Sequence, residues 1–185
     1  MTTPTGGQPG EAATAYAGPA TFQLDPAGSA VSITHKTFWG LATVRGSFTK
    51  LSGSAEILPD GSGRGRLEID AASIDTKNGK RDQHLRSKDF FHADQHPQLV
   101  VEVTQAARQG SDNVAATGTL TVAGQSRPLT VSARITQAAD DAITVTAEAD
   151  IDRTDFGMRW NQLGMITGNA HASVVARFVK AAPGK

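Results

Sequence analysis

Strict alternation of apolar and polar side chains runs through most of this chain, and it allows little besides β-structure. Val31, Ile33 and His35 alternate with Ser32, Thr34 and Lys36. The same phase recurs in Leu67 and Ile69, in Leu99, Val101 and Val103, and in Leu120 and Val122. It continues through Leu129, Val131, Ala133 and Ile135, then Ile143, Val145, Ala147, Ala149 and Ile151, and finally Val174, Ala176 and Phe178. Successive strand residues face opposite ways, so a period of two describes strands with one buried and one wet face. Val, Ile and Thr dominate these runs and suit pleated backbone. Turn signals separate them: Pro59-Asp60-Gly61, Gly110-Ser111-Asp112-Asn113, Ala123-Gly124-Gln125 and Asp140-Asp141. A hairpin-linked run of about eight strands closes most simply into an antiparallel barrel, which leaves no edge unpaired. A two-sheet sandwich is the competing architecture.

The inward phase is notable for small side chains, with Ala133, Ala147, Ala149 and Ala176 among them, and aromatic residues make up only 5% of the chain. Small residues lining a large barrel leave volume inside, which points to a cavity. A packed core fits the same residues. The charge balance excludes one class of partner. Eighteen Lys and Arg against eighteen Asp and Glu give no net charge, and a nucleic-acid partner needs a basic surface. With no cysteine there is no disulfide, thiolate nucleophile or Cys-ligated metal.

Residues 1–20 are mostly Thr, Gly, Pro and Ala with one aromatic and read as a disordered tail. Residues 21–180 form one domain, and 181–185 a short second tail. The start lacks the apolar run of about 7–15 residues of a secretory signal, so a cytoplasmic location is expected. No stretch of about 18 apolar residues offers a transmembrane segment. One segment breaks the alternation: Asn78 to Phe91 is polar except for Leu85, Phe90 and Phe91 and reads as one or two helical turns between strands.

Several blocks, in order, resemble the YceI-like family of bacterial lipid- or polyisoprenoid-binding proteins. They are VRGSF at Val44–Phe48, SIDTKNGKRDQHLRSKDFF at Ser73–Phe91, HPQLVVEV at His96–Val103, GTLTVAGQSRPLTV at Gly118–Val131 and DRTDFGMRWN at Asp152–Asn161. The resemblance implies an all-β fold: an extended, eight-stranded, antiparallel, lipocalin-like β-barrel with a short helical insert and a long apolar tunnel. It implies binding, storage or transport of a long-chain isoprenoid lipid of polyprenyl or quinone type, with no catalysis, no cofactor beyond that lipid and no metal. Many relatives are exported, and a homodimer is compatible with the family. Three departures stand out. A family histidine after the first long strand falls at Thr37, with His35 two residues earlier on the same face. His92 replaces a usual Asp, and the acidic entry to the last strand is missing.

On this reading Val31, Ile33, Val44, Phe48, Leu67, Ile69, Val101, Leu120, Val131 and Val145 line the tunnel wall. The aromatic set Phe38, Trp39, Phe90, Phe91, Phe156 and Trp160, with Met158, lies near the tunnel and shapes its mouth. His35 meets the ligand's polar head, with Arg159 or Asn161 as further contacts. Other residues invite chemistry but read better as structure. His92, Asp94 and His96 lack the spacing of a known metal motif. His84 with Asp82 and Asp89 suggests an acid–base pair, but the setting favours a network with Arg81 bound to a carboxylate and Asp82 or Ser87 capping helical turns. Arg153, Asp155 and Arg159 read as an ion pair or turn anchor at a barrel end. The runner-up function is a stress-response or protein-interaction module with a packed barrel and no lipid.

Overall fold

The computed structural model describes residues 18–139 and 141–181, and side chains for all of these except 137–139. The tails expected at 1–20 and 181–185 fall almost wholly outside that range. Among the described residues there are eleven strands: β1 (Ala20–Leu24), β2 (Ala30–Thr37), β3 (Ala42–Phe48), β4 (Leu51–Ile57), β5 (Gly63–Asp70), β6 (Ile74–Asp75), β7 (Gln98–Arg108), β8 (Asn113–Val122), β9 (Gln125–Ala139), β10 (Ala142–Ile151) and β11 (Ile166–Lys180). One α-helix, α1 (Gly79–Arg86), lies between β6 and β7.

Register turns this count into eight staves. Against β11, Leu24 of β1 faces Phe178 and Ala30 of β2 faces Val175, so β1 and β2 lie end to end. Likewise β4 pairs with β1 and β3 with β2. The staves β1/β2, β3/β4, β5, β7, β8, β9, β10 and β11 then follow one another as antiparallel neighbours, and β1 closes the ring on β11. This is the eight-stranded antiparallel barrel that the alternation and the turns predict. Each of the eight staves has two neighbours, so the ring is closed. The strands are long. The fifteen residues of β11 span about 50 Å at roughly 3.3 Å per residue, which makes the barrel elongated.

Two breaks in the staves have side-chain causes. Between β1 and β2 the chain steps out through a single 3-10 turn, Pro26–Gly28, capped by Asp25. Asp25 forms an ion pair with Arg177 of β11, and its N–H donates to the Arg177 carbonyl at 2.8 Å. Between β3 and β4 the backbone N–H groups of Thr49 and Lys50 donate to the Ser73 hydroxyl oxygen at 3.1 and 3.2 Å. The buried Ser73 thereby satisfies two donors that the kink removes from the ladder.

The insert lies across one end of the barrel. β6 pairs with the end of β3 through Ser47–Asp75 and Phe48–Ile74. Gly46 is needed there, because a Cβ would sit 2.9 Å from the Thr76 methyl and 3.0 Å from Ile74. The capping differs from the expected pattern. Asn78, not Asp82, caps the N-terminus of α1 by accepting from Arg81 N–H at 3.1 Å. Buried Asp82 instead accepts from the Thr76 N–H and hydroxyl at 2.9 and 2.5 Å. Arg81 binds no carboxylate; it donates to the Thr76 hydroxyl and carbonyl at 2.7 and 2.8 Å. Spacing along a helix cannot reveal that Thr76, upstream of the helix, is the common partner. Ser87 closes the helix as expected, its hydroxyl donating to the His84 carbonyl at 2.7 Å.

Candidate functional site

The barrel is hollow. A cavity of about 1030 Å³ runs along its axis, at the upper limit of about 1,000 Å³ typical of ligand pockets. It reaches from Lys80, Arg81 and His84 on α1 to Ser111 and Asp112 in the β7–β8 turn at the other end. The cause is legible strand by strand. Inward positions midway along the last two staves include Val145, Ala147, Ala149, Ala170, Ala172 and Val174, and all border the cavity. Bulkier side chains there would fill it.

Of the residues expected to line a tunnel, Val31, Ile33, Val44, Phe48, Leu67, Ile69, Val101, Leu120, Val131 and Val145 border this cavity. So do His35, Phe38, Phe90, Phe91, Phe156, Met158 and Trp160. Trp39 does not. It sits at the β2–β3 turn with φ of 54° and is 64% exposed, pointing away from the interior. At the α1 end the aromatic side chains form a lining with defined contacts. The His84 ring meets Phe90 and Trp160 edge-on at 5.1 and 4.5 Å, and Phe48 meets Phe91 at 5.7 Å.

Polar groups at this end decide what the cavity can hold. Both ring nitrogens of His35 and the hydroxyl of Thr37 are shielded from solvent and have no hydrogen-bond partner. Such groups are costly to bury unpaired. Their position has a backbone origin. Thr167 of β11 faces Lys36, but the next paired residue, His171, faces Thr34. Three residues, Gly168 to Ala170, therefore oppose the single residue His35. A bulge of this kind interrupts the ladder and re-aims side chains. Burial, and secondarily the Arg153 guanidinium, hold the His35 imidazole below its ordinary pKa of 6.5. The Asn169 carbonyl pulls weakly the other way, without reaching hydrogen-bond geometry. Burial and Arg153 both favour the neutral imidazole, which offers one donor and one acceptor.

Arg153 also borders the cavity. It anchors its turn through donations from one terminal nitrogen to the carbonyls of Met158 at 2.6 Å and Trp160 at 2.8 Å. That is the expected turn anchor, made to backbone rather than to Asp155. Asn161 spends both ends of its amide on the backbone of Ile166, at 2.9 and 3.0 Å, and Arg159 is exposed. Thr37 shares a strand face with His35 and borders the cavity beside it, a placement that the alternation of β2 already carries.

The residues that suggest other chemistry are dispersed. Asp82 turns to Thr76, while His84 Nε2 lies 3.1 Å from Asp89, so Asp82 and His84 do not act as a pair. The His92 and His96 rings stack edge-on at 5.5 Å. The His96 ring lies so close to Gly124 that a Cβ there would clash at 2.5 Å. Among the described residues no three His, Cys, Asp or Glu gather as metal ligands, and no helix is long and apolar enough to cross a membrane.

Residues 22–179 match the YceI-like domain. The chain belongs to the YceI-like family. Its curated relatives include a UPF0312 protein of Vibrio campbellii, 28% identical over 125 residues that cover 66% of each chain. Protein YceI of Escherichia coli is 33% identical over 98 residues, 50% of this chain and 51% of the relative. The aligned stretches thus span about half to two thirds of the relatives' length. Among solved structures, BcnA of Burkholderia cenocepacia superposes with a TM-score of 0.76 at 23% identity, covering 83% of this chain and 98% of BcnA. A Saccharophagus degradans protein described as a polyisoprenoid binding domain implicated in plant cell wall breakdown gives 0.71 at 17%, covering 88% and 99%. At these identities the likeness speaks for the fold, and the YceI-like barrel is that fold.

Proposed function

We propose that this YceI-like protein binds, stores or carries a long-chain isoprenoid lipid of polyprenyl or quinone type, without catalysing a reaction on it. The observation that carries this reading is the long apolar cavity with unpaired His35 and Thr37 at one end. A hydrocarbon chain needs a dry lining and little else, and gains about 25 cal/mol per Å² of apolar surface removed from water. A ligand head with an oxygen acceptor would accept from the Thr37 hydroxyl and the His35 ring N–H, two groups without a partner in the protein, with Arg153 close by. The description of the Saccharophagus neighbour as a polyisoprenoid binding domain supports the same class. A packed barrel acting only through its surface fits less well, because the cavity exceeds the roughly 300 Å³ at which ligand pockets begin.

Native mass spectrometry of protein purified from a bacterial host tests the proposal. A bound lipid, or uptake of an added long-chain prenol or quinone, is the expected result. Protein that stays empty under both conditions would sink it. The variant His35→Leu separates head from tail: it should retain a plain hydrocarbon chain and lose preference for the oxygen-bearing ligand.

A further inference from the structure

Large exposed hydrophobic side chains are few on this barrel, and they gather at one end. Among the described residues they are Phe38, Trp39, Leu41, Leu163 and Val175. Val175 lies along β11, on the outer wall. The other four belong to two loops, the β2–β3 turn and the segment between β10 and β11. Leu41 is 88% and Leu163 79% exposed. The loops are neighbours in space. Thr37 pairs with Ile166 in register, and the Trp39 N–H donates to the Met165 carbonyl at 3.4 Å. Residues more than 120 positions apart thus form one apolar rim, so the cluster is a product of the fold and not of a local run.

The backbone presents these side chains against its own preference. Phe38, Trp39 and Leu163 have φ of 50°, 54° and 55°, a left-handed region that bulky residues rarely adopt. The rim is also continuous with the interior, because Phe38 is 52% exposed and borders the cavity as well. The apolar surface outside begins where the apolar surface inside ends.

We propose that this rim docks the protein on the surface of a lipid bilayer, with Trp39, Leu41 and Leu163 inserted among the lipids and Phe38 at the junction between membrane and cavity. The proposal rests on the reading of the cavity as a lipid site. A carrier of a water-insoluble ligand must load and unload without exposing the chain to water, and a cavity mouth pressed against the bilayer does this. The form of the rim favours a membrane over a protein. Its side chains stand on the tips of separate turns. A fluid hydrocarbon layer accepts protruding points, whereas a protein partner would need pockets shaped to each. Tryptophan is enriched where membrane meets water, and binding of this kind grows with the apolar area inserted. Around the loops, exposed Lys36 and Arg159 are matched by exposed Asp152 and Asp155. Anionic lipid is therefore not required, and zwitterionic vesicles are the proper probe.

The test is flotation of the full chain with phosphatidylcholine vesicles, beside the variant Trp39→Ser/Leu41→Ser/Leu163→Ser. The wild type should float, and the triple variant should lose at least tenfold in partitioning while melting at an unchanged temperature. If the triple variant fails to fold, Leu41→Ser alone supplies the readout, with a smaller loss expected. Wild-type protein that remains unbound, or a variant that floats as well as the wild type, overturns the proposal. So does wild-type protein that self-associates through the rim and ignores vesicles. Bound-lipid content, measured on the same samples, keeps the two readings apart. Lipid-filled protein that ignores vesicles refutes docking alone, and empty protein that floats by its rim refutes the cavity reading alone.

Discussion

The two ends of this barrel are built on different principles. At the end formed by β1 and the last residues of β11, the strands stay paired through small register shifts at Gly63–Gly65, Val103–Gln105 and Ala142–Ile143, and buried Phe22, Leu24, Ile143 and Phe178 belong to the core. The Asp25–Arg177 pair holds the outward step of the chain nearby. At the α1 end the departures are larger. An inserted helix, a three-against-one bulge at His35 and left-handed residues at Phe38, Trp39 and Leu163 occur within a few turns of one another. Departures of this size from local rules are tolerated because the rest of a fold supplies the stability that offsets them.

The largest effect should come from the β1 end. Phe22 is fully buried, and Phe22→Ala should cost about 3–5 kcal/mol in urea unfolding, as for other buried aromatics. Its β1 stave closes the ring, so the loss should be global. If hydrogen exchange instead showed loosening only at α1, the contrast between the ends would fail.

At the other end, Thr76→Val removes one hydroxyl that serves both Asp82 and Arg81. A loss of about 1–3 kcal/mol is expected from the stranded carboxylate and its lost bonds. Amide exchange should rise across Gly79–Arg86 while β7 to β10 stay protected. Equal loosening everywhere would show that the insert is part of the core.

Acid sharpens the contrast further. The folded state holds His35 below its ordinary pKa of 6.5, so the unfolded chain binds the proton more readily. The stability linked to this group is fully present above pH 6.5 and is lost as the pH falls through the lowered folded value. His35→Phe should flatten this part of the profile in melts between pH 7.5 and 5. An unchanged slope would mean that other groups set it.

The smallest effect on stability, with a large one on binding, should follow from filling the cavity. Ala147→Leu with Ala172→Leu adds apolar volume to an existing void, so the unfolding free energy should move little, by about 1 kcal/mol or less in either direction. Lipid uptake by native mass spectrometry should drop at least tenfold. Uptake at the wild-type level would place the ligand elsewhere.

Much of the barrel was legible because its signals are local. A period of two names the inward face of each strand, and tight turns connect neighbours, so the wall from Val31 to Val174 could be assigned residue by residue. The site was legible only where it shares that phase, as His35, Leu67 and Val131 do. Trp39 fell outside the cavity because a turn has no phase. Thr76 was missed as the hub of the insert because its partners are set by a crossing of chain segments, not by spacing.

The sequence by itself determined an antiparallel β-fold with small inward side chains, since both follow from side-chain size and polarity along single strands. It also carried the ordered motifs of a YceI-like protein. Only the tertiary structure decided that β1/β2 and β3/β4 each serve as one stave, that the interior remains hollow, and that Thr37, His35 and Arg153 share one end of it. It alone brought Trp39 and Leu163 to a common rim. Those outcomes depend on register, bulges and loop paths, which are fixed only when strands distant in sequence compete for the same hydrogen-bonding partners.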